Sequence, residues 1–308
     1  MKIIYEPKGR AREYAPLACN LFWGCPHGCR YCYAPRTLRK DPAQFHDPEW
    51  VHIRDHSNIA LRWDAKEILA HSEVASRCPE CLGTGVEDVD GYRPIKCGHC
   101  SFGFIAATSA PGPVLLCFGC DPYPRGRPDL WGHTQQAITI LRDNGVPVRV
   151  LTKNPMATLS HLDLYRARDV ELGVSLSFID DGPRAEWEPN AAPVEERIAV
   201  LRAAHALGIR TWVSVEPVID PDEAYGVLWQ VCGEGIANHI ALGKWNRDKR
   251  AKSIDWPHFL RHAHERLQIA YHKQVPGGFS FRIKEDLWAH APEVDQWTGD
   301  EPQTMGEW

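Results

Sequence analysis

From about residue 110 the chain alternates short apolar runs with longer stretches of helical period. "PVLLCFG" (113–119) is bounded by glycine and proline and predicts a buried strand. A helical stretch from Leu130 to Asn144 follows and closes at Gly145. The pattern continues with "VPVRVLT", a helix near Thr158 to Arg168, "VELGVSLSF", and a helix from Pro193 to Leu207 that ends at Gly208. Then come "IRTWVSV", a helix from Pro221 to about Cys232, "ANHIALG", and a helix from Trp256 to Leu267. A strand near Leu17 to Trp23 brings the count to six β/α units, and such alternation implies a parallel sheet.

No glycine-rich dinucleotide fingerprint follows a strand, so the expected fold class is α/β, a partial (β/α)6 parallel barrel rather than a doubly wound sheet. Residues 72–108 break the alternation, are rich in Cys and Gly, and lack a helical period. They are expected to be an inserted module, leaving 1–71 and 109–285 as the barrel. Residues 286–308 carry Trp, Pro and acidic groups and are expected to form a surface or partly disordered C-terminal tail.

Active sites of parallel barrels gather at the carboxyl ends of the strands. In order these read "GCPHGCRYCY", "FGCDPYPRG", "LTKNP", "SLSFIDD", "SVEP" and "LGKWN". Each carries polar or reactive groups that a loop merely closing a barrel does not need, which points to an enzyme.

Charge narrows the partners slightly. A net charge of −5 gives no general drive toward phosphate backbones or anionic membranes, though a local basic groove stays open. No signal peptide or apolar run of membrane-spanning length is legible, so the expected location is the cytoplasm, where thiols stay reduced. Eleven cysteines there, ten of them near another cysteine, point to metal rather than disulfides.

Cys25, Cys29 and Cys32 have the spacing C-x3-C-x2-C. Structural zinc favours four ligands in two close pairs, which this spacing does not supply. Iron–sulfur clusters are held by thiolates, and three leave one iron open to an exogenous ligand. Gly24 and Gly28 keep the loop compact enough for three thiolates to converge. Cys19, six residues earlier, reads as a small buried strand side chain.

Cys78, Cys81, Cys97 and Cys100 form C-x2-C-x15-C-x2-C, two knuckles able to place four sulfurs at about 2.3 Å from one zinc. Structural Zn2+ is the expectation, with rubredoxin-like iron or a second cluster as the alternatives.

With Tyr31 and Tyr33 either side of its last cysteine, "GCPHGCRYCYA" resembles the signature of the radical S-adenosylmethionine superfamily. "DPY" at 121–123, "TKN" at 152–154 and "EPNAAPVEERIAVLRAAHALGIRTWVSVEPVI" are similar to its spore photoproduct lyase-like branch, over most of the chain except the insertion. "CPECLGTG" resembles the cysteine-rich modules of DnaJ-type chaperones.

The superfamily resemblance implies a 4Fe-4S cluster on Cys25, Cys29 and Cys32, with S-adenosyl-L-methionine at its fourth iron. Reductive cleavage of the sulfonium would give a 5'-deoxyadenosyl radical that abstracts hydrogen from the substrate. It also implies an external one-electron reductant of flavodoxin or ferredoxin type. By the branch resemblance Tyr31 and Tyr33 would flank the adenine, and Lys153 would meet the methionine carboxylate. Ser175 would contact the ribose or amino-acid part, and Val215 and Glu216 would line the adenine pocket. The branch favours nucleotide or nucleic-acid substrates, but leaves the substrate and the reaction open. Cys117 or Cys120 would return a hydrogen atom to the product, although neither aligns with the branch's cysteine. Alternatively "FGCD" holds the methionine amino group.

Smaller candidates complete the picture. Asp180, Asp181, Glu186 and Glu188 read as a solvated acidic loop after the fourth strand. His258 and His262 stand four apart on one helix, a metal pair in principle but more simply a polar face. Lys244, Trp245 and Asn246 close the sixth strand, where Trp and Lys could stack on and pair with a nucleotide. The competing functional class is a zinc-ribbon binding module on a catalytically degenerate barrel.

Overall fold

The computed structural model describes residues 4–7, 12–35, 112–143, 145–167, 169–246, 248–273 and 277–291, with strands at 60–61, 86–89 and 92–96. Two compact units emerge: Met1–Pro26 with Cys32–Val150, and His27–Tyr31 with Leu151–Trp308.

In the first unit β1 (Ile4–Tyr5) runs antiparallel to β2 (Leu17–Cys19). The predicted strand from Leu17 to Trp23 is split at Asn20: β3 (Phe22–Trp23) leaves to pair with β4 (Ala60–Leu61). β5 (Val86–Val89) and β6 (Tyr92–Lys96) form an antiparallel hairpin inside the inserted segment. β7 (Val114–Leu116) runs parallel to β2 and to β8 (Val148–Thr152), the last strand of this unit, which ends just inside the second. Between β7 and β8 lies α1 (Trp131–Asp143), with Gly145 left-handed two residues past its end.

The second unit carries β9 (Val170–Ser175), α2 (Asp181–Trp187), α3 (Val194–Ala206), β10 (Thr211–Val218), α4 (Pro221–Glu234), β11 (His239–Lys244), α5 (Trp256–His272), β12 (Ser280–Ile283) and α6 (Glu285–Trp288). β9, β10, β11 and β12 pair parallel in that order. The order is β1-β2-β7-β8 in the first unit and β9-β10-β11-β12 in the second, an α/β arrangement of the partial-barrel class with one parallel strand more than expected.

Local chemistry explains the boundaries. All six residues of β9 are buried, as a strand covered on both faces requires. Asp220 caps α4 by accepting from the Asp222 and Glu223 N–H groups, Pro221 takes the first turn, and left-handed Gly235 ends it. The expected helix near Thr158 is instead a 3-10 stretch, Pro155–Arg166, broken at His161. The main core packs β9–β12 against α3, α4 and α5, with Phe178 and Phe281 almost wholly enclosed.

The tail expectation fails for its first residues. Leu287, Trp288 and Ala291 are buried in that core, with the Trp288 ring edge-on to His264 at 5.3 Å, because apolar side chains on one short helix find a partner face in α5.

Candidate active site

The described part of the cysteine loop is held from both sides. Gly24 and Gly28 take φ of 76° and 66°, the left-handed region that glycine enters without cost. Cys25, Cys29 and Cys32 form no disulfide, and each is partly exposed. Among the described residues no group of three or more His, Cys, Asp and Glu side chains is drawn together closely enough to hold a metal ion. What fits an iron–sulfur cluster is therefore the donor set itself: three cysteines outside any disulfide within eight residues, on a loop that turns at two glycines.

The second unit gathers most of the other predicted residues. Tyr31 donates its hydroxyl to Glu188 Oε1 in a very short hydrogen bond. Glu188 is wholly buried, and its Oε2 lies 2.6 Å from Arg197 Nη2, an ion pair without the alignment of a hydrogen bond. Arg197, equally buried, donates from Nε to Ala192 O at 2.8 Å and from Nη1 to Ser175 O at 2.9 Å. The Ala192 N–H in turn donates to Lys153 O at 3.0 Å. The Lys153 ammonium lies 5.7 Å from the centroid of the Tyr31 ring.

Electrostatics follow from that packing. Burial, and next the Glu188 charge, push the Tyr31 phenol well above its ordinary range. Burial alone would raise the Glu188 carboxyl, but Arg197 foremost, then Lys153 and Tyr31, hold it below the usual carboxylate range. Tyr31, Lys153 and Ser175 are thus brought into one network through two residues, Glu188, which the sequence reading placed in a solvated loop, and Arg197, which it did not single out.

Of those two, Glu188 corrects an expectation outright. The acidic segment is not one solvated loop. Asp180 caps α2 by accepting from the Gly182 N–H, Asp181 pairs with Arg184, and Glu186 meets Arg30 at the surface, while Glu188 turns inward. Arg197 did leave a signal. It falls on the same helical face as Val194, Ile198, Leu201 and Ala204, and a charge on an otherwise apolar face must have a buried partner.

Val215 is buried in the core, and Glu216 beside it makes an ion pair of 2.5 Å with Lys284, itself 3% exposed. Lys284 directly follows β12, the strand that escaped prediction. Gly243 lets this carboxylate sit against β11: a Cβ there would stand 2.7 Å from the Glu216 carboxyl carbon. Next along, Lys244 Nζ lies 2.7 Å from His290 Nε2. The Trp245 ring meets Trp187 edge-on at 5.2 Å, and the Arg250 guanidinium covers both rings at 4.7 and 4.8 Å. Trp245 is therefore spoken for by Arg250 rather than open for stacking. His258 and His262 are exposed, with ring centroids 4.3 Å apart, and belong to no larger group of metal donors among the described residues.

In the first unit, Cys117 and Cys120 follow β7. Cys117 is the one non-glycine with positive φ among the described residues, at 61°, and its N–H donates to Cys19 O at 2.6 Å. Such a backbone costs of order 1–3 kcal/mol and marks a place where geometry is enforced. Cys120 Sγ donates to Phe22 O at 3.4 Å. Burial foremost, then its hydrogen bond and proximity to Cys117 and the nearness of Cys25, push the Cys120 thiol well up, so it stays protonated. Tyr33, 46% exposed, donates to Phe118 O at 2.9 Å. Cys78, Cys81, Cys97 and Cys100 lie outside the described residues; the hairpin β5–β6 occupies the stretch between their two pairs.

No protein-family model matches the chain, and no curated protein matches it in sequence. Solved structures do resemble it. A mutant of spore photoproduct lyase with bound AdoMet and dinucleoside spore photoproduct matches with a TM-score of 0.51 at 16% identity, over 83% of this chain and 62% of that one. Spore photoproduct lyase complexed with dinucleoside spore photoproduct matches at 0.50 and 15%, over 85% and 64%. SuiB of Streptococcus suis bound to S-adenosylmethionine gives 0.46 and 10%, over 59% of this chain and 42% of that chain. The chain thus spans less than two thirds of each. The likeness to spore photoproduct lyase establishes the fold, the partial α/β barrel expected from the alternation of strands and helices.

Proposed function

We propose that a chain with the fold of spore photoproduct lyase, and with Cys25, Cys29 and Cys32 on the loop that follows β3, is a radical S-adenosylmethionine enzyme. The observation that carries the reading is the buried network that ties Tyr31, two residues past Cys29, to Lys153 at the end of β8 through Glu188. It puts a cation and an aromatic ring beside the cysteine loop, the pairing an amino-acid carboxylate and an adenine require.

Cys25, Cys29 and Cys32 would hold a 4Fe-4S cluster. Bound there, the cluster would supply the one-electron reduction of the S-adenosylmethionine sulfonium that makes this cofactor a source of hydrogen-abstracting radical chemistry. The chain's own residues bind and orient. Lys153 meets the methionine carboxylate as a compact charge on a flexible stem, and Tyr31 and Tyr33 flank the adenine. Ser175 contacts the ribose or amino-acid part, and Val215 and Glu216 border the adenine pocket. Cys117 and Cys120 are the hydrogen-donor candidates, and a thiol kept protonated by burial suits that role. The reductant is an external one-electron carrier of flavodoxin or ferredoxin type, and the reducing cytoplasm is the fitting location. A nucleotide or nucleic-acid substrate is favoured by the ligand of the spore photoproduct lyase complexes, without fixing which.

The test is 5'-deoxyadenosine release after anaerobic reconstitution with iron and sulfide and reduction by dithionite. Release by the wild type and not by a Cys25/Cys29/Cys32 triple Ala variant supports the assignment. Equal release from both overturns it.

For residues 72–108 the proposal is a zinc ribbon, with β5–β6 as the hairpin between its knuckles. Cys81→Ala should release one equivalent of zinc, read by metal analysis, and lower the melting temperature while leaving the cluster's absorbance near 400 nm intact. Loss of the absorbance together with the zinc would mean the two metals are not separable.

A further inference from the structure

We infer that the segment Trp187–Asn190 is a cradle that fixes the cysteine loop, with Glu188 as the positioning residue at its centre. The inference rests on the reading of this loop as the one that holds the cluster.

Both main-chain flanks of Cys29 are tied to this segment. The Asn190 N–H donates to His27 O at 3.2 Å, and the Arg30 N–H donates to Trp187 O at 2.9 Å. Gly28 lies between them, so close that a Cβ would stand 3.5 Å from Asn190 Nδ2 and 3.7 Å from Pro189 Cγ. At the surface Arg30 Nη1 meets Glu186 at 2.8 Å. Inside, the Tyr31 hydroxyl ends on Glu188.

The outer pair is exposed and holds little. The inner one is different. Glu188 accepts from Tyr31 on one oxygen and faces Arg197 with the other, and Arg197 is pinned to the carbonyls of Ser175 and Ala192. One buried carboxylate thereby links the backbone beside Cys29 to the end of β9 and, through Ala192, to the backbone of Lys153. Where Cys29 stands relative to Lys153 is set by Glu188. Gln at this position keeps the volume but removes the charge: with its amide NH2 toward Arg197 donor faces donor, and with the NH2 toward Tyr31 the phenol must turn from donor to acceptor and its own hydrogen loses this partner, so the charged link at both ends is lost.

The test uses two readouts. In the full-length protein without metal, kept anaerobic and reduced, the iodoacetamide alkylation rate of each cysteine is followed by peptide mass spectrometry. Glu188→Gln should raise the Cys29 rate by about tenfold to a hundredfold, the factor a hydrogen bond to a charged group is worth. Buried Cys232 on α4 should stay unreactive. In the reconstituted protein the same change should weaken S-adenosylmethionine binding, measured by equilibrium dialysis, by a similar factor. Tyr31→Phe removes the phenolic hydroxyl alone and should reproduce the Cys29 effect even if Glu188→Gln fails to fold.

An unchanged Cys29 rate in both variants overturns the cradle, and so does simultaneous opening of Cys232, which would mark Glu188 as a residue of general stability. The two readings fail separately. A wild type that binds neither iron nor S-adenosylmethionine, with Cys29 still released by Glu188→Gln, removes the radical assignment and leaves the cradle standing. A wild type that binds both, with a Glu188→Gln variant identical to it, does the reverse.

Discussion

Cys29→Ala is expected to give a folded protein that takes up no 4Fe-4S cluster and releases no 5'-deoxyadenosine. Two thiolates and an alanine leave an iron without its protein ligand, so cluster binding fails as a unit rather than by a third. The fold should survive, because the Cys29 side chain is partly exposed on a loop whose backbone is held by the His27 carbonyl and the Arg30 N–H, both untouched by the substitution. A surface change of this kind stays within about 0.5 kcal/mol. The checks are iron and acid-labile sulfide content, absorbance near 400 nm, and thermal unfolding of the apo form against the apo wild type. A cluster of full occupancy in Cys29→Ala would sink the ligand assignment. A collapse of the apo fold would mean that Cys29 is structural.

Arg197→Leu is expected to destabilise the protein by about 3–5 kcal/mol, the cost of stranding the other member of a buried ion pair. Against a total of roughly 5–15 kcal/mol for a domain, that is a large share. Glu188 Oε2 loses its ion-pair partner, and two carbonyl acceptors, Ser175 O and Ala192 O, lose their donor at once.

The pH dependence should also change sign. In the wild type the folded Glu188 carboxyl is held below its unfolded value, so its stabilising contribution is present above that value and fades as pH falls through the folded one. Without Arg197, burial, the largest influence on this carboxyl, is opposed by Lys153 and Tyr31 alone and raises the folded value. A raised value contributes stability at low pH that is lost as pH rises. The Arg197→Leu protein should therefore gain relative stability as pH falls toward about 4, the ordinary carboxylate range, where the wild type begins to lose it. Urea unfolding at a series of pH values reads both effects. A midpoint equal to the wild type's, with the same pH slope, would refute the role given to this pair.

Much of the fold was legible because strand and helix periods differ and because turn residues mark the ends. Gly145, Gly208 and Gly235 each stand where a helix stops. β12 escaped because "SFRI" is a short alternation just after Gly277 and Gly278, too brief to separate from a loop by period alone. Trp288 was read as surface because its flanks are acidic, although its own side chain needs a partner face.

The candidate site shows in the sequence as cysteine spacing and not as a network. Cysteine spacing is local, and the loop reveals it. Glu188 lies among carboxylates that do face solvent, and nothing in its neighbourhood distinguishes an inward from an outward carboxylate. Only Arg197, on the apolar face of the next helix, did so. The Glu216–Lys284 pair is of the same kind, invisible until β12 is placed beside β11.

The hydrogen bond from Tyr31 to Glu188 spans 157 positions, and that separation imposes an order on biosynthesis. A ribosome adding about 5–20 residues per second needs roughly ten to thirty seconds to reach the second partner after completing the first. Through that interval Cys25, Cys29 and Cys32 are translated but unsupported, open to oxidation and to whichever soft metal is nearest. If these cysteines hold the proposed cluster, loading with iron and sulfide belongs after residue 190 has left the exit tunnel, and yield in a heterologous host should depend on how well the nascent thiols are kept reduced until then.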